Sequence, residues 1–243
     1  PFHVPAEVLQ HMQDGIGARG AAEQHQWHQD LDRYASEFPS EAEQLGCIWR
    51  GELPGDWEDG IPVFPADEKG PATRVSSGVV LNELAAKLPW LLGGSADLAP
   101  STMTLLDDED AGDFSSGNYA GRNLHFGIRE HVMAAISNGM ALSGLRPYCA
   151  TFFVFADYLR PSLRLSSIMH LPVIYVMTHD SIGLGEDGPT HQPVAQLAAC
   201  RAIPNLLVMR PADAGEVAEC YRTALKTPDR PSMFVLTRQG LPP

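Results

Sequence analysis

The chain has 243 residues, of which 44% are hydrophobic and 19% charged, and its formal net charge is −13. This composition is typical of a globular protein with a substantial core, and the negative charge argues against nucleic acid and anionic membrane surfaces as general partners. The sequence contains neither a cleavable signal pattern nor a run of about 18–20 apolar residues that could span a bilayer, which predicts a cytoplasmic protein. Since the chain opens on Pro1 without a methionine, we expect a fragment or a processed product.

The first 70 residues differ from the rest in pattern. Large apolar residues recur there at helical spacing, at Trp27, Leu31, Tyr34 and Phe38. Pro39 should end this helix, and residues 40–43 resemble a capping box that opens another. Residues 51–71 are rich in Gly, Pro and acidic residues. We predict an arm or linker over residues 1–70 and a domain over residues 71–243.

From about residue 71, helical patterns alternate with short apolar runs. Strands are expected at residues 123–126, 146–153, 172–177, 205–209 and 232–236, and helices at 72–88, 128–142 and 157–169 and before the last strand. Runs this apolar predict strands that are buried on both faces. The fold class is therefore predicted as α/β, a doubly wound and mostly parallel sheet with helices on both faces.

Three finer predictions follow from the same periodicity. The buried face of the first helix is expected to carry Val75, Val79, Leu84 and Leu88, and that of the second Ile128, Val132, Ala135, Ile136 and Met140. Pro161 should lie in the first turn of the third helix, where a missing N–H costs nothing. The acidic residues 107–110 are interpreted as a solvated loop.

Cysteines and histidines give no metal pattern. Cys47, Cys149, Cys200 and Cys220 form no Cys-x-x-Cys pair, so we expect buried, reduced thiols. His25 and His28 lie three residues apart in a polar helix and are interpreted as solvated. No metal site is predicted in this chain.

Polar and aromatic residues follow the apolar runs at corresponding positions. These residues are Asp97, Ser101, Glu130, Phe152, Phe155, Tyr158, His179, Asp187, His191 and Arg238. Because the carboxyl ends of parallel strands meet at one edge of the sheet, this pattern indicates a functional edge. Residues 183–188 match Gly-x-Gly-x-x-Gly, but the match begins several residues after a strand and contains two carboxylates, which argues against a dinucleotide site.

Several motifs together resemble transketolase, in its central, pyrimidine-binding domain. They are Gly-Ile-Arg-Glu-His at 127–131, Thr-Phe at 151–152 with Phe155 and Tyr158, Thr-His-Asp-Ser-Ile-Gly at 178–183, and Gly-Glu-Asp-Gly-Pro-Thr-His-Gln-Pro at 185–193. Shorter matches extend the resemblance over nearly all of residues 72–242, and the preceding arm is similar to the family's interdomain connector. The resemblance implies the thiamin diphosphate-binding fold.

The resemblance also implies an activity, the transfer of a two-carbon ketol unit from a ketose phosphate to an aldose phosphate, as in the pentose phosphate pathway and the Calvin cycle. It implies thiamine diphosphate as cofactor, with Glu130 bonded to N1′ of its aminopyrimidine. Phe152, Phe155 and Tyr158 match the aromatic wall around that ring, and Asp97 matches a residue near the cofactor.

Substrate-binding roles are carried over in the same way. The residues that match the clamp on the sugar phosphate are Arg74, Ser101, His179 and Arg238. Asp187 resembles the residue that reads a substrate hydroxyl, and His191 resembles a catalytic residue that bonds oxygens at the reaction centre. Arginines in such a clamp would allow an acidic protein to hold an anionic substrate.

The chain departs from the family by what it lacks. It contains neither the Gly-Asp-Gly motif nor the Asn-Asn pair with which the family's diphosphate domain holds Mg²⁺, and it stops where the family continues into a third domain. The resemblance therefore implies half of an active site, completed by the diphosphate-binding domain of another subunit in a homodimer. We expect the isolated chain to be inactive and to bind the cofactor weakly.

Other functions remain open at this point. The nearest is a related thiamine enzyme, dihydroxyacetone synthase or deoxyxylulose-phosphate synthase, and His179 disfavours the second of these. A non-catalytic pairing module is a further alternative, against which the intact Glu130 and phosphate clamp argue. A nicotinamide dehydrogenase would rest on the discounted glycine pattern. A plastid location is kept beside the cytoplasmic one.

Overall fold

The computed structural model describes residues 2–66, 70–108 and 110–241. Of the predictions made from the sequence, those for Glu109 in the acidic loop, for residues 67–69 of the arm and for the terminal residues 1, 242 and 243 fall outside the described residues. The chain divides into two compact units, Pro1–Glu52 and Leu53–Pro243.

The first unit is helical. It contains α1 (Ala6–Met12), a π-helical turn at Gln13–Gly17, α2 (Ala18–Glu37) and α3 (Pro39–Arg50). The rings of Trp27 and Trp49 join α2 to α3 at a centroid distance of 5.6 Å. The expected capping box is wrong, because α3 begins at Pro39 with Phe38 as its N-cap and no side chain caps it. A proline at the first helical position has the right φ and needs no donor there.

The second unit opens with an irregular segment, residues 53–66. Trp57 and Ile61 are 7% and 6% exposed. Glu58 lies 2.6 Å from Lys226 and 3.4 Å from Arg222. This part of the predicted linker therefore packs against the domain that follows it.

A single six-stranded sheet forms the centre of the second unit. The strands are β1 (Leu91–Ser95), β2 (Asn123–His125), β3 (Arg146–Phe152), β4 (Ile174–Thr178), β5 (Leu207–Met209) and β6 (Ser232–Leu236). Their order is β2-β1-β3-β4-β6-β5, and every pair is parallel. The predicted α/β fold class, with a parallel sheet, is therefore confirmed.

Helices cover both faces of this sheet. On one face α6 (Glu130–Leu142) packs on α7 (Ala156–Ile168), above a core that contains Cys149, Tyr175 and Met233. On the other face α4 (Thr73–Lys87) packs on α9 (Ala214–Lys226), where Tyr221 meets Phe234 edge to face at 4.7 Å. The shorter helices are α5 (Ala99–Thr102) and α8 (Gln196–Arg201).

Two glycines let β1 lie between its neighbours. A Cβ at Gly93 would lie 1.9 Å from the carbonyl oxygen of Tyr148, and one at Gly94 would lie 1.8 Å from that of Leu124. No real Cβ contact is this short, so any side chain here would force β1 away from β2 and β3. This close approach of backbone explains the Gly-Gly pair at the centre of the strand.

The buried face predicted for α6 is wrong. Ile128, Val132 and Ile136 are 80%, 46% and 42% exposed, and the buried residues are Glu130, Met133, Ala134, Ser137 and Asn138. The physical reason is a buried polar network between α6 and α7. Asn138 donates to the carbonyl of Ser162 at 3.0 Å, and the hydroxyl of Ser166 contacts both Asn138 and Tyr175 at 2.5 Å.

Two other helix predictions also need correction. Val75 and Val79 are partly exposed on α4, whose core contacts come from Val80, Leu81 and Leu84. Pro161 lies inside α7, which begins at Ala156, and therefore falls in the second turn and not in the first. All four cysteines are buried and free, as expected. Among the described residues, no helix is both long and apolar enough to cross a membrane.

Candidate active site

The carboxyl ends of the parallel strands place most of the predicted residues along one edge of the sheet. Phe152 is the last residue of β3, and it pairs with Thr178 at the end of β4, directly before His179. Arg238 follows β6, and Thr178 pairs with Leu236 in that strand. These central strands bring residues that are up to 86 positions apart in sequence to one edge.

Three aromatic rings form a stack at this edge. Phe152 lies 6.0 Å from Phe155 with 15° between the ring planes, and Phe155 lies 6.0 Å from Tyr158 at 29°. Exposure rises along the stack, from 7% at Phe152 to 65% at Tyr158. The 3₁₀ turn Phe153–Phe155 makes this arrangement, because it changes the direction of the chain between β3 and α7.

Both predicted histidines contact this stack. The ring of His179 lies on Phe152 at 3.7 Å and 28°, and His191 meets Phe155 edge to face at 5.4 Å. His179 has a left-handed backbone, with φ of 59°. This conformation is uncommon for a residue other than glycine and marks a position that the surrounding structure holds in place.

Two guanidinium groups lie beside the histidines. Arg74, in the first turn of α4, donates from Nη1 to the carbonyl of Ser101 at 2.5 Å. Burial lowers the pKa of Arg74, and the nearby charge of Arg238 lowers it further, whereas Asp187 opposes this. Arg74 Nε is buried and has no hydrogen-bond partner among the described residues. The two guanidinium groups, together with the Nε–H of Arg74, form an environment suited to an anion.

His179 is buried and neutral. Burial lowers its pKa to about 4, and the positive charges of Arg74 and Arg238 act in the same direction, against the opposing charge of Asp187. Its side chain is only 3% exposed. At neutral pH the ring therefore carries a hydrogen on one nitrogen only, and it can both donate and accept a hydrogen bond.

This low pKa should make His179 a source of acid sensitivity. An unfolded histidine has a pKa of about 6.5, so the unfolded chain takes up this proton first as the pH falls. The contribution of His179 to the stability of the folded chain is therefore complete above about pH 6.5, and it is lost as the pH falls towards 4. We compare the fall in the free energy of unfolding when the pH is lowered from about 7 to about 4.5. This fall should be about 2 kcal/mol smaller in His179→Gln than in the native chain. Urea unfolding at both pH values measures this.

The exposed His11→Gln variant is the matched control for that experiment. It removes one histidine without changing a buried one, so its pH dependence should follow that of the native chain. Equal pH dependence in the His179 and His11 variants would contradict the assignment.

Glu130 lies in a different setting from the cationic residues. It is the first residue of α6, is 7% exposed, and accepts a hydrogen bond from the hydroxyl of Thr151 at 3.4 Å. Thr151 directly precedes Phe152, so this contact joins the carboxyl group to the aromatic stack. A negative charge at a helix N-terminus is also favoured by the helix dipole.

The loop after β4 carries Asp187 and His191. It begins with the 3₁₀ turn Ile182–Leu184, which Ser181 caps by accepting from the Gly183 N–H at 3.2 Å. Gln192 donates to the carbonyl of Gly185 at 3.3 Å and so closes the loop. Asp187 is exposed, and its neighbour Glu186 lies 3.7 Å from Arg238. The Gly-x-Gly-x-x-Gly match lies within this loop between β4 and α8, and it neither directly follows the strand nor directly opens the helix.

Asp97 is the predicted residue that the contacts do not join to the others. It lies two residues after β1, is exposed and has φ of 64°. No hydrogen bond or ion pair of Asp97 occurs among the described residues. Its position near the sheet edge follows from the end of β1.

Sequence reasoning missed an ion pair next to His179 in which the carboxylate is buried and the guanidinium is 42% exposed. The side chain of Asp180 is fully buried, and Arg210 donates to its Oδ2 from Nε at 2.9 Å and from Nη2 at 2.5 Å. The adjoining Thr-His-Asp-Ser motif signalled Asp180, but the partner lies 30 residues further on, after β5. Thr151, the partner of Glu130, was also missed, although it stood in a recognised motif.

Comparison with known proteins identifies a family. Residues 69–243 match the family model described as the transketolase pyrimidine-binding domain. The chain is 50% identical to a transketolase of Bacillus subtilis, over 99% of this chain and 36% of that protein. It is 51% identical to a chloroplastic transketolase of Craterostigma plantagineum, over all of this chain and 46% of that protein.

A solved structure agrees with these relatives. The structure of a Pichia stipitis transketolase in complex with sedoheptulose-7-phosphate superposes with a TM-score of 0.92 at 39% identity, covering 99% of this chain and 36% of that one. The chain thus spans less than half the length of these transketolases. This chain belongs to the family of transketolase pyrimidine-binding domains.

Proposed function

We propose that the protein containing this chain is a transketolase, which transfers a two-carbon ketol unit from a ketose phosphate to an aldose phosphate. The observation that carries the proposal is one sheet edge on which the Arg74–Arg238 pair and neutral His179 adjoin the aromatic stack. The names of the relatives favour this activity over a related thiamine enzyme and over a non-catalytic module.

The residues at this edge fit the pyrimidine end of thiamine diphosphate. Phe155 offers a ring for stacking, Phe152 and Tyr158 extend the wall, and buried Glu130 offers a carboxyl group to a ring nitrogen. When bound, thiamine diphosphate supplies the electron sink that ketol transfer needs. Glu130 would hold and exchange a proton at N1′ of the ring. Asp97 remains a proposed neighbour of the cofactor.

Substrate binding falls to the polar groups of the same edge. Arg74 and Arg238 would hold the phosphate, with Ser101 and His179 as further partners. Asp187 would bind a substrate hydroxyl, and His191 would donate to oxygens at the reaction centre. The Phe152 and Phe155 rings pack edge to face against the imidazole of His191.

Other parts of the site would come from elsewhere. Among the described residues, no three His, Cys, Asp or Glu side chains form a group that could hold a metal ion. We therefore assign Mg²⁺ and the diphosphate to the diphosphate-binding domain of another subunit in a homodimer. The exposed apolar residues Val132 and Ile136 of α6, with Ile128 just before the helix, support such pairing. The compartment would be the cytoplasm or a plastid.

The test is a chimera in which this chain replaces the matching segment of the Bacillus subtilis transketolase. It should transfer ketol units between sugar phosphates when thiamine diphosphate and Mg²⁺ are supplied. Arg238→Gln should raise KM for a phosphorylated substrate about tenfold, because a hydrogen bond to a charged group contributes about 1.5–3 kcal/mol, and should leave KM for an unphosphorylated substrate unchanged.

The matched control is Arg164→Gln, which removes an exposed guanidinium on α7. It should leave both KM values unchanged. Absence of ketol transfer in a folded chimera would refute the proposed activity, and an equal rise of both KM values for Arg238→Gln would refute the phosphate-binding role.

A further inference from the structure

The imidazole of His179 is restrained on several sides. Its backbone is left-handed, with φ of 59°, and its ring lies on Phe152 at a centroid distance of 3.7 Å. A third restraint comes from the preceding residue. The hydroxyl of Thr178, at the end of β4, lies 2.9 Å from Nδ1 of His179.

The burial of Thr178 decides the direction of this hydrogen bond. Thr178 is 0% exposed, and among the described residues its hydroxyl has no hydrogen-bond partner other than Nδ1. If Nδ1 carried the hydrogen, the Thr178 O–H would be left buried without an acceptor, at a cost of about 1–3 kcal/mol. If the hydroxyl donates instead, its hydrogen is satisfied and Nδ1 acts as the acceptor. The second arrangement is therefore favoured.

We propose that Thr178 is a positioning residue, which donates to Nδ1 and so holds His179 as the tautomer with its hydrogen on Nε2. The ring then presents an N–H donor, beside the guanidinium groups of Arg74 and Arg238, to a bound anion. The phosphate identity of this anion rests on the function proposed above. The tautomer itself does not.

The tautomer of His179 determines whether the ring can bind a phosphate. An ionised phosphate is an acceptor of hydrogen bonds, so a bare ring nitrogen facing it would repel it and an N–H would bind it. Because burial keeps His179 neutral at neutral pH, its single ring hydrogen must be on the correct nitrogen. Thr178 would thus favour the binding of anions by fixing the tautomer of His179, without contacting the anion itself.

A second Thr-His pair in the same site provides an internal reference. The hydroxyl of Thr190 lies 2.9 Å from Nδ1 of His191. Thr190 is exposed, so water can satisfy its hydroxyl, and the burial argument does not apply to it. The His191 resonances should therefore remain unchanged when Thr178 is altered.

The test is ¹⁵N NMR of the imidazole nitrogens in the 243-residue chain, at about pH 8.5, where an ordinary imidazole is neutral. In the native chain, Nε2 of His179 should resonate as a protonated nitrogen and Nδ1 as an unprotonated one. Thr178→Val keeps the shape of the side chain without its hydroxyl and should move the two resonances towards each other. Thr178→Ser keeps the hydroxyl and should restore the native pattern.

Two results would overturn the proposal. One is a native His179 with its hydrogen on Nδ1, a measurement that needs no variant to fold. The other is an unchanged tautomer in a folded Thr178→Val chain.

A titration with inorganic phosphate separates this inference from the proposed function. The native and Thr178→Ser chains should bind phosphate equally, and Thr178→Val should bind it about threefold more weakly, a fraction of what a full hydrogen bond to a charged group contributes. A native chain that has the expected tautomer but does not bind phosphate would refute the phosphate-binding part of the proposed function and the anion-selecting role, but not the role of Thr178 in positioning the tautomer of His179. Equal binding by the Thr178→Val and native chains would refute the anion-selecting role.

Discussion

Glu130→Gln is expected to lower the rate of ketol transfer by about a thousandfold, within the range of about 10²–10⁴ that general acid–base groups contribute. The carboxyl group is 7% exposed and accepts a hydrogen bond from Thr151. A glutamine keeps the size of the side chain and can still accept this hydrogen bond. It cannot hold or exchange a proton, so the loss should appear in kcat while the fold remains intact.

The Bacillus subtilis chimera described above is the system for this measurement. Glu23→Gln is the matched control, since Glu23 is an exposed residue of α2, and its kcat should equal that of the unmodified chimera. Circular dichroism would establish that each variant is folded. A Glu130→Gln chimera with undiminished kcat would remove Glu130 from the reaction, whatever the surrounding geometry.

Arg210→Met is expected to lower the free energy of unfolding by about 2 kcal/mol, within what leaving a buried acceptor without its hydrogen-bond donors costs, because Asp180 is buried although Arg210 is 42% exposed. The side chain of Asp180 is 0% exposed, and Arg210 makes two hydrogen bonds to one of its oxygens. Without Arg210, the side-chain donor that remains to this carboxylate among the described residues is the hydroxyl of Ser181, at 3.0 Å. That single neutral donor replaces little of the lost interaction.

Chemical unfolding of the native chain and two variants tests this expectation. Arg230→Met is the matched control, because Arg230 pairs with Asp229 at 3.1 Å where both side chains are partly exposed, and such pairs contribute about 0–1 kcal/mol. Adding Asp180→Asn to Arg210→Met should recover part of the loss, since the buried charge is then removed. Equal destabilisation by Arg210→Met and Arg230→Met would contradict the account.

The sheet could be predicted because its strands are nearly all apolar. Segments such as Ser232–Leu236 have no polar face. This pattern indicates a strand that is covered on both sides. The orientation of α6 could not be predicted in the same way. Its apolar residues Val132 and Ile136 have the spacing of a buried face, yet the helix buries Ser137 and Asn138. Ser137 donates to the carbonyl of Met133 in α6 itself, whereas Asn138 bonds to Ser162 and Ser166 of α7, and these partners of Asn138 are distant in the sequence.

The site was more predictable in composition than in contacts. Residues at or directly after the ends of strands, such as Phe152 and His179, could be placed at one edge from topology alone. The pairing of Asp180 with Arg210 could not, because it depends on β5 lying outside β6 in the strand order. The left-handed backbone of His179 could not be predicted either, because a histidine residue gives no local sequence signal for that conformation.

The adjacent guanidinium groups of Arg74 and Arg238 have a consequence for the energetics of the free protein. Repulsion between these two charges disfavours the folded state, although Asp187 and Glu186 offset part of it, and among the described residues the buried Nε of Arg74 has no acceptor. Under the proposed function, an anion bound between these groups would relieve this unfavourable arrangement. Ligand capture and conformational stability are therefore thermodynamically linked through the same few atoms.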